Sequence, residues 1–498
     1  MTRKFLLLLA LGVSTAFCQT TGWKLYWADE FSGAAGSAPD SSKWAYDTGA
    51  GGWGNNELEN YTTSTANSFQ DGRGHLVIQA LNVNGGYTSA RLKTQSTFSF
   101  SYGKVEARIK MPYAQGIWPA FWMLGTNIDK VGWPNCGEID IMENFGVTAN
   151  DAALNHGTIH GPNYAGAGVG ANYTLPGGAK LADDYHIYAV NWGPGSVEFP
   201  VDGVSYFKTT PASLPSGGTW VFDNNPMFLL LNLAVGGSPA PVGYPNATTT
   251  FPQQMLVDYV RVYQQVALAS GTPNISPNGI VDAALGGVNL AAGGLATVYG
   301  SNLAEGTYPS TFNAQTGSFA TSTPSGVVIA VNGVPAPLTY VSPTQINFQV
   351  PWATPATGNP VGVTVARGAS ASFAEPVAFS VAAPGIFQDY SAGTALVTGR
   401  IPKSGAACVM WGNGFGPVAT GLLDGTPAPL VANPVTGSCQ LTIGGVPTQV
   451  GYCGSAPGLV IDQLNFSYPL TIPETGGKVS AVLVVNGASI NLALPVVR

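Results

Sequence analysis

Glu138, Asp140 and Glu143 fall within six residues, separated only by the apolar Ile139, Ile141 and Met142. They are the only charged side chains between Lys130 and Asp151, in a chain where 9% of residues are charged. Three like charges this close cannot all stay ionised in a partly dry site, so one must hold its proton near neutrality. A protonated acid beside an ionised carboxylate is the pair that glycoside hydrolysis requires. One carboxyl donates to the leaving oxygen while the other attacks the anomeric carbon. Asp140, between them in sequence, can hydrogen-bond the nucleophile. Two other readings compete. Calcium also takes clustered carboxylates, but usually from a Gly- and Asn-rich loop. A solvated strand face would mix in Lys, Thr or Ser. The catalytic reading is preferred.

Such a trio needs a particular strand beneath it. In a regular strand side chains alternate, so Glu138 and Asp140 share a face and Glu143 falls on the other. One extra residue, a bulge near Ile141–Met142, would return Glu143 to their side. Four effective steps along a strand span roughly 13 Å. Carboxyl groups in retaining glycosidases stand about 5–5.5 Å apart. Long Glu side chains on an inward-curving sheet would close much of that gap.

The surrounding sequence offers cleft walls. Trp118 and Trp122 are four residues apart and share a face on a regular strand. Paired indoles stack on the apolar faces of sugars, although two core tryptophans would show the same spacing. The Gly-rich "GGWGNNE" carries Asn55, Asn56 and Glu57 and reads equally as a plain turn. Arg91 offers a fork of donors to hydroxyls or a carboxylate, or else a structural ion pair. His160 is a candidate for the cleft and His156 a weaker one. His75 and His186 receive no role.

The whole chain bounds what these residues can be part of. Its 498 residues suit two or three domains. It has 65 Gly and 37 Pro with 45% hydrophobic residues and no G-X-Y period. Short β-branched and aromatic runs broken by turn residues predict an all-β protein. "MTRKFLLLLALGVSTAFCQT" has a basic start and a short apolar stretch, so 1–18 is expected to be a secretory signal peptide. No later run is apolar enough to span a membrane; "MFLLLNLAVGG" is interrupted by Asn232 and reads as a buried strand. The net charge of −7 becomes −9 once Arg3 and Lys4 leave with the leader, which argues against nucleic-acid binding. Export permits disulfides. Cys439 and Cys453 flank Gly444–Val446 symmetrically and either face each other across a hairpin or are small buried hydrophobes. Cys136 has no obvious partner.

All four histidines and nine of eleven tryptophans precede residue 265. Residues 265–278 read as a linker between a catalytic part, 19–264, and a second half that repeats. "ATVYGSNL" matches "CVMWGNGF", "VNGVPAPLTY" matches "IGGVPTQVGY", and "QINFQVP" matches "QLNFSYP". Two Ig-like β-sandwiches follow, at 279–390 and 391–498.

"WPNCGEIDIMENFG" resembles the signature of glycoside hydrolase family 16 in its bulged form. That form is associated with laminarinases, the endo-β-1,3-glucanases, and with agarases and carrageenases; the spacing one residue shorter is typical of lichenases. "LYWADEFSG", "GGWGNNELENYT", "YTSARLKT", "FSYGKVEARIKMP", "GIWPAFWMLG", "HGTIHGP" and "MLVDYVRVYQ" resemble laminarinase blocks in family order. The resemblance implies a jelly-roll β-sandwich with a concave catalytic cleft. It implies Glu138 as nucleophile, Glu143 as acid/base and Asp140 as helper. It places Asn56, Arg91, Trp118, Trp122 and His160 at the substrate, a β-1,3-glucan. Mixed-linkage glucan, agarose or another galactan, and glucan binding without turnover remain as alternatives. No catalytic cofactor is implied. One structural calcium is, at Glu30, Gly74 and Asp258, partly through backbone oxygens. The second half resembles a module appended to secreted bacterial proteins, and contact with polysaccharide, contact with a surface, or a spacer role are open for it.

Overall fold

The computed structural model describes residues 21–146, 151–176, 179–237, 242–389, 394–395, 397–399, 407–469 and 477–496. The expected leader, 1–18, lies outside them. The first half is two largely antiparallel sheets packed face to face. The inner sheet contains β1 (Ala45–Asp47), β2 (Arg91–Lys93), β3 (Ile117–Gly125), β4 (Glu138–Glu143), β5 (Leu154–His160), β6 (Val169–Thr174) and β7 (Met227–Val235). Their order is β6-β5-β4-β3-β7-β2-β1. The outer sheet is built around Gly103–Lys110 and Gln253–Ala267, which pair along their lengths. Alternate residues of the strands turn toward the shared core, as a two-layer protein demands. In β7, Leu229, Leu231 and Leu233 enter the core, where they meet Phe121, Met123 and Ile139 of the inner sheet and Val105, Ile109 and Val260 of the outer. Each such side chain contributes about 1.5–3 kcal/mol by leaving water. The opposite face of the inner sheet is left to carry Trp118, Trp122 and the acids. The hairpin joining Ser196–Val201 to Val204–Thr209 turns on Asp202 and Gly203, both at positive φ (49° and 78°), the geometry a two-residue hairpin needs.

The second half is two sandwiches with separate cores, one from Ile275 to Phe379 and one from Ile386 to Leu494. The sequence repeats occupy equivalent strands. Leu295–Ser301 pairs with Gln345–Gln349, as Ala407–Asn413 pairs with Asp462–Ser467. The expected boundaries shift. The strand Gln253–Ala267 runs past 264, and the next strand, Asn274–Asp282, already belongs to the first sandwich, so the linker shrinks to 268–273. Gly385–Ile386 pairs with Ala407–Asn413, which moves the start of the second sandwich before 391. Cys439 and Cys453 form a disulfide with Cα atoms 6.5 Å apart. It does not close the hairpin as expected. Cys439 lies on a strand paired with Gly477–Val485, whereas Cys453 pairs into the other sheet, so the bond ties the sandwich's two layers. Cys136 and Cys408 are buried and form no disulfide.

The first sandwich docks on the outer sheet, away from the cleft. Asn278 Nδ2 donates to both carboxylate oxygens of Glu106 (2.8 Å each), and Glu106 is fully buried. Tyr263 Oη and the Asn278 amide both donate to Glu375 Oε1 (3.2 and 2.9 Å). Among the described residues no helix is long and apolar enough to cross a membrane.

Candidate active site

The acids sit on β4. Opposite β3 the register slips between Asp140 and Met142, and opposite β5 between Asp140 and Glu143. That slip is the expected bulge. Ile139, Ile141 and Met142 all pack in the core, while Glu138 and Glu143 reach the surface at either end of buried Asp140. Gly137 leads into the strand at φ +79°, where a Cβ would lie 2.9 Å from Val221 Cγ2. Only glycine delivers Glu138 at this angle without a clash.

Neighbouring strands bring the partners. Across β5, His160 stands opposite Glu138 and His156 opposite Glu143. Across β3, Trp122 stands opposite Asp140 and Ala120 opposite Glu143. Trp118 Nε1 donates to Glu143 Oε1 (2.9 Å), and its ring meets Phe145 edge-on at 5.6 Å. Trp122 Nε1 donates to Asn232 Oδ1 of β7 (2.8 Å). Arg91 of β2 lies over the Trp122 ring at 4.7 Å and the Trp53 ring at 5.1 Å, with its Nε 3.0 Å from Asp47 Oδ2. Arg91 is therefore both an ion pair and a wall of the cleft. His160 Nε2 is 3.2 Å from Asp140 Oδ2, and its Nδ1 is 2.8 Å from the Ala165 carbonyl.

The three carboxyls do not hold protons equally. Burial, and then the charge of Asp140, push Glu138 up to about 8. His160, Arg91 and a hydrogen bond from Trp133 act in the other direction and favour its anion. Burial lifts Glu143 well above the usual carboxylate range, and the charges of both Asp140 and Glu138 add to the rise. Burial also raises Asp140. All three carboxyls are thus pushed toward the protonated form, with Arg91 acting on Glu138 in the opposite direction.

The structure gathers Glu138, Asp140, Glu143, Arg91, Trp118, Trp122 and His160. Asn56 is exposed at φ +55° on a loop whose Trp53 reaches Arg91. Sequence reasoning missed Trp133, Asn232, Trp53 and Phe145. Trp133 and Phe145 lie in the very stretch that carries the acids. Asn232 was visible as the polar break in an apolar strand. His75 and His186 pair with Asp71 and Asp202 (2.7 Å each) and take no part in the cleft.

The calcium expectation meets a different chemistry. Arg261 Nε and Nη2 donate to the two oxygens of Glu30 (2.8 and 2.9 Å). Arg108 Nη1 donates to Asp258 Oδ2 at 2.6 Å. Both acids line a cavity of about 190 Å³ with Glu375, Arg73, Arg108 and Arg261. Calcium needs six to eight oxygens free to turn inward. Guanidinium groups already satisfy the carboxylates of Glu30 and Asp258, so calcium at Glu30, Gly74 and Asp258 would have to rest on backbone oxygens.

Residues 55–261 match glycosyl hydrolases family 16, and residues 288–381 match the IPT/TIG domain. A beta-glucanase of Rhodothermus marinus is 38% identical over 258 residues, which is 49% of this chain and 86% of that protein. The chain belongs to glycoside hydrolase family 16. Glucan endo-1,3-beta-glucosidase A1 of Niallia circulans is 37% identical over 270 residues, and the chain spans only 38% of that relative's length. The solved endo-beta-1,3-glucanase from Pyrococcus furiosus is 45% identical, covering 49% of this chain and 96% of its own, with a TM-score of 0.45. The catalytic half is a family 16 jelly roll, and the expected Ig-like character of the first repeat agrees with the IPT/TIG match at 288–381.

Proposed function

We propose that this glycoside hydrolase is an exported, retaining endo-β-1,3-glucanase. The observation that carries the mechanism is the slip at Ile141, which sets Glu143 on the face of Glu138 and Asp140. Glu143, holding its proton, donates to the departing chain. Glu138, its anion favoured by Arg91, His160 and Trp133, attacks the anomeric carbon and forms a covalent glycosyl-enzyme. Glu143, now ionised, takes a proton from water, which releases the sugar with retained configuration. Asp140 hydrogen-bonds Glu138 and steers the proton. Trp118 holds the Glu143 carboxyl in place, and the Arg91–Trp122 stack forms an apolar wall for a sugar ring.

The name of the Niallia circulans relative supports a β-1,3-glucan as substrate. The scarcity of basic residues in 111–264 speaks against sulfated polymers. Docking of the Ig-like half on the outer sheet supports a spacer role over substrate contact. Glu138→Ala and Glu143→Ala should each lower laminarin hydrolysis about a hundredfold or more while the protein stays folded. Reducing-sugar release, with product anomers followed by NMR, is the measurement. Full activity in either variant, or inverted product, would remove the assignment.

A further inference from the structure

His160 donates from Nδ1 to the Ala165 carbonyl (2.8 Å), and a carbonyl can only accept. In its neutral form the ring then presents a lone pair on Nε2. That lone pair faces Asp140 Oδ2 at 3.2 Å. Asp140 is 3% exposed, and its Oδ2 has no hydrogen-bond donor. With the ring neutral and Asp140 ionised, two acceptors would confront each other in a buried place, a pairing that a cation between them relieves. The His75–Asp71 and His186–Asp202 pairs differ, since both close to 2.7 Å through Nδ1. One ligand atom each from Glu138, Asp140 and His160 lies within 4.8 Å of the others.

We propose that Glu138, Asp140 and His160 form a site for one divalent transition-metal ion of the zinc class, whose binding shuts the catalytic acids away from substrate. Tetrahedral zinc with bonds near 2.0–2.2 Å holds its ligands about 3.3–3.5 Å apart, and the His160–Asp140 spacing is already close to that. Glu138 lies across the strand pair from His160 and reaches the ion by side-chain rotation. The Ala165 carbonyl fixes the ring as backbone carbonyls commonly do for zinc-bound histidine. An imidazole with two carboxylates suits zinc or copper, whereas calcium and magnesium take oxygen. Two carboxylates balance the charge of the ion. Occupied, the site engages the lone pairs of Glu138 needed for attack. Binding stands independently of the hydrolytic reading; only the inhibition rests on it.

Zinc chloride titrated calorimetrically into the full chain at pH 7 should bind one ion per chain. Cobalt in its place should give the visible absorption of a four-coordinate ion. Glu143→Gln, which removes the proposed acid but no ligand, should bind zinc as the unaltered chain does. His160→Gln and Asp140→Asn should each weaken binding at least about tenfold, with circular dichroism confirming the fold. A β-1,3-glucan hexasaccharide should compete with the metal in Glu143→Gln. No binding tighter than about 1 mM, or unchanged binding in both ligand variants, would overturn the site.

Discussion

Asn232 is the one polar residue in a nine-residue strand that is buried throughout. A buried amide is costly unless its donors and acceptors are met. Here Oδ1 accepts from Trp122 and Nδ2 donates to Tyr61 Oη (3.1 Å). Asn232 therefore ties the indole under Arg91 to the strand beside it. Asn232→Ala would orphan the Trp122 N–H and loosen the Arg91 stack. Stability should fall by about 1–3 kcal/mol, and kcat/KM roughly tenfold, mostly through KM. Laminarin kinetics beside thermal melts would check both, and an unchanged KM would show that Trp122 needs no such tether. The acids were legible in the sequence because carboxylates stand out in so uncharged a stretch. Asn232 and Trp133 were harder to read, since their meaning lies in which strand or loop faces them. The ion pairs around the expected calcium residues were hidden for a related reason: Arg261 and Arg108, which claim the Glu30 and Asp258 carboxylates, are far away in sequence from one or other acid.

A strand irregularity decides which side a side chain takes, because a one-residue slip moves everything beyond it to the other face. Ile141 is the extra residue in β4, and it makes an otherwise contradictory spacing work. Deleting Ile141 would restore plain alternation and still leave three acids on the cleft face. Exchanging the residues at 142 and 143 (Met142→Glu with Glu143→Met) would instead aim the last acid at the core, where Met142 now packs. The deletion should keep measurable laminarin hydrolysis. The exchange should lose about a hundredfold or more and melt lower, since a carboxyl forced inward must be buried without partners. Equal activity in both would mean that the slip does not set the side. The bulge itself was readable because Glu138, Asp140 and Glu143 can share a face in no other way. The disulfide was not, since the symmetry about Gly444–Val446 suggests a hairpin while the chain actually carries Cys453 into the other sheet.

At the scale of the whole molecule, the two halves are joined by buried charge rather than by a loose tether. Composition showed the change of character near residue 265 but not that the next sandwich would seat on the outer sheet. That contact depends on Glu106, Asn278 and Glu375, which come from three distant stretches of sequence. Glu375 is the group that makes the seating sensitive to pH. Burial pushes it up to about 7 from an ordinary 4.5, against the pull of its backbone hydrogen bond from Asn278 and the charge of Arg261; Glu106 raises it and Lys104 lowers it. Tyr263 faces it from the catalytic half. A carboxyl whose value rises on folding favours the folded state while protonated. Its contribution is complete below about 4.5 and is lost as the pH climbs through about 7. The junction should therefore hold most firmly in mild acid and loosen toward neutrality. Glu375→Gln keeps the acceptor oxygen but cannot ionise, so its melting temperature should fall less between pH 5 and 8 than that of the unaltered chain. Calorimetry across that range measures the difference directly. Parallel curves for the two proteins would mean that Glu375 ionises without disturbing the junction, and that the joint rests on Asn278 and Glu106 alone.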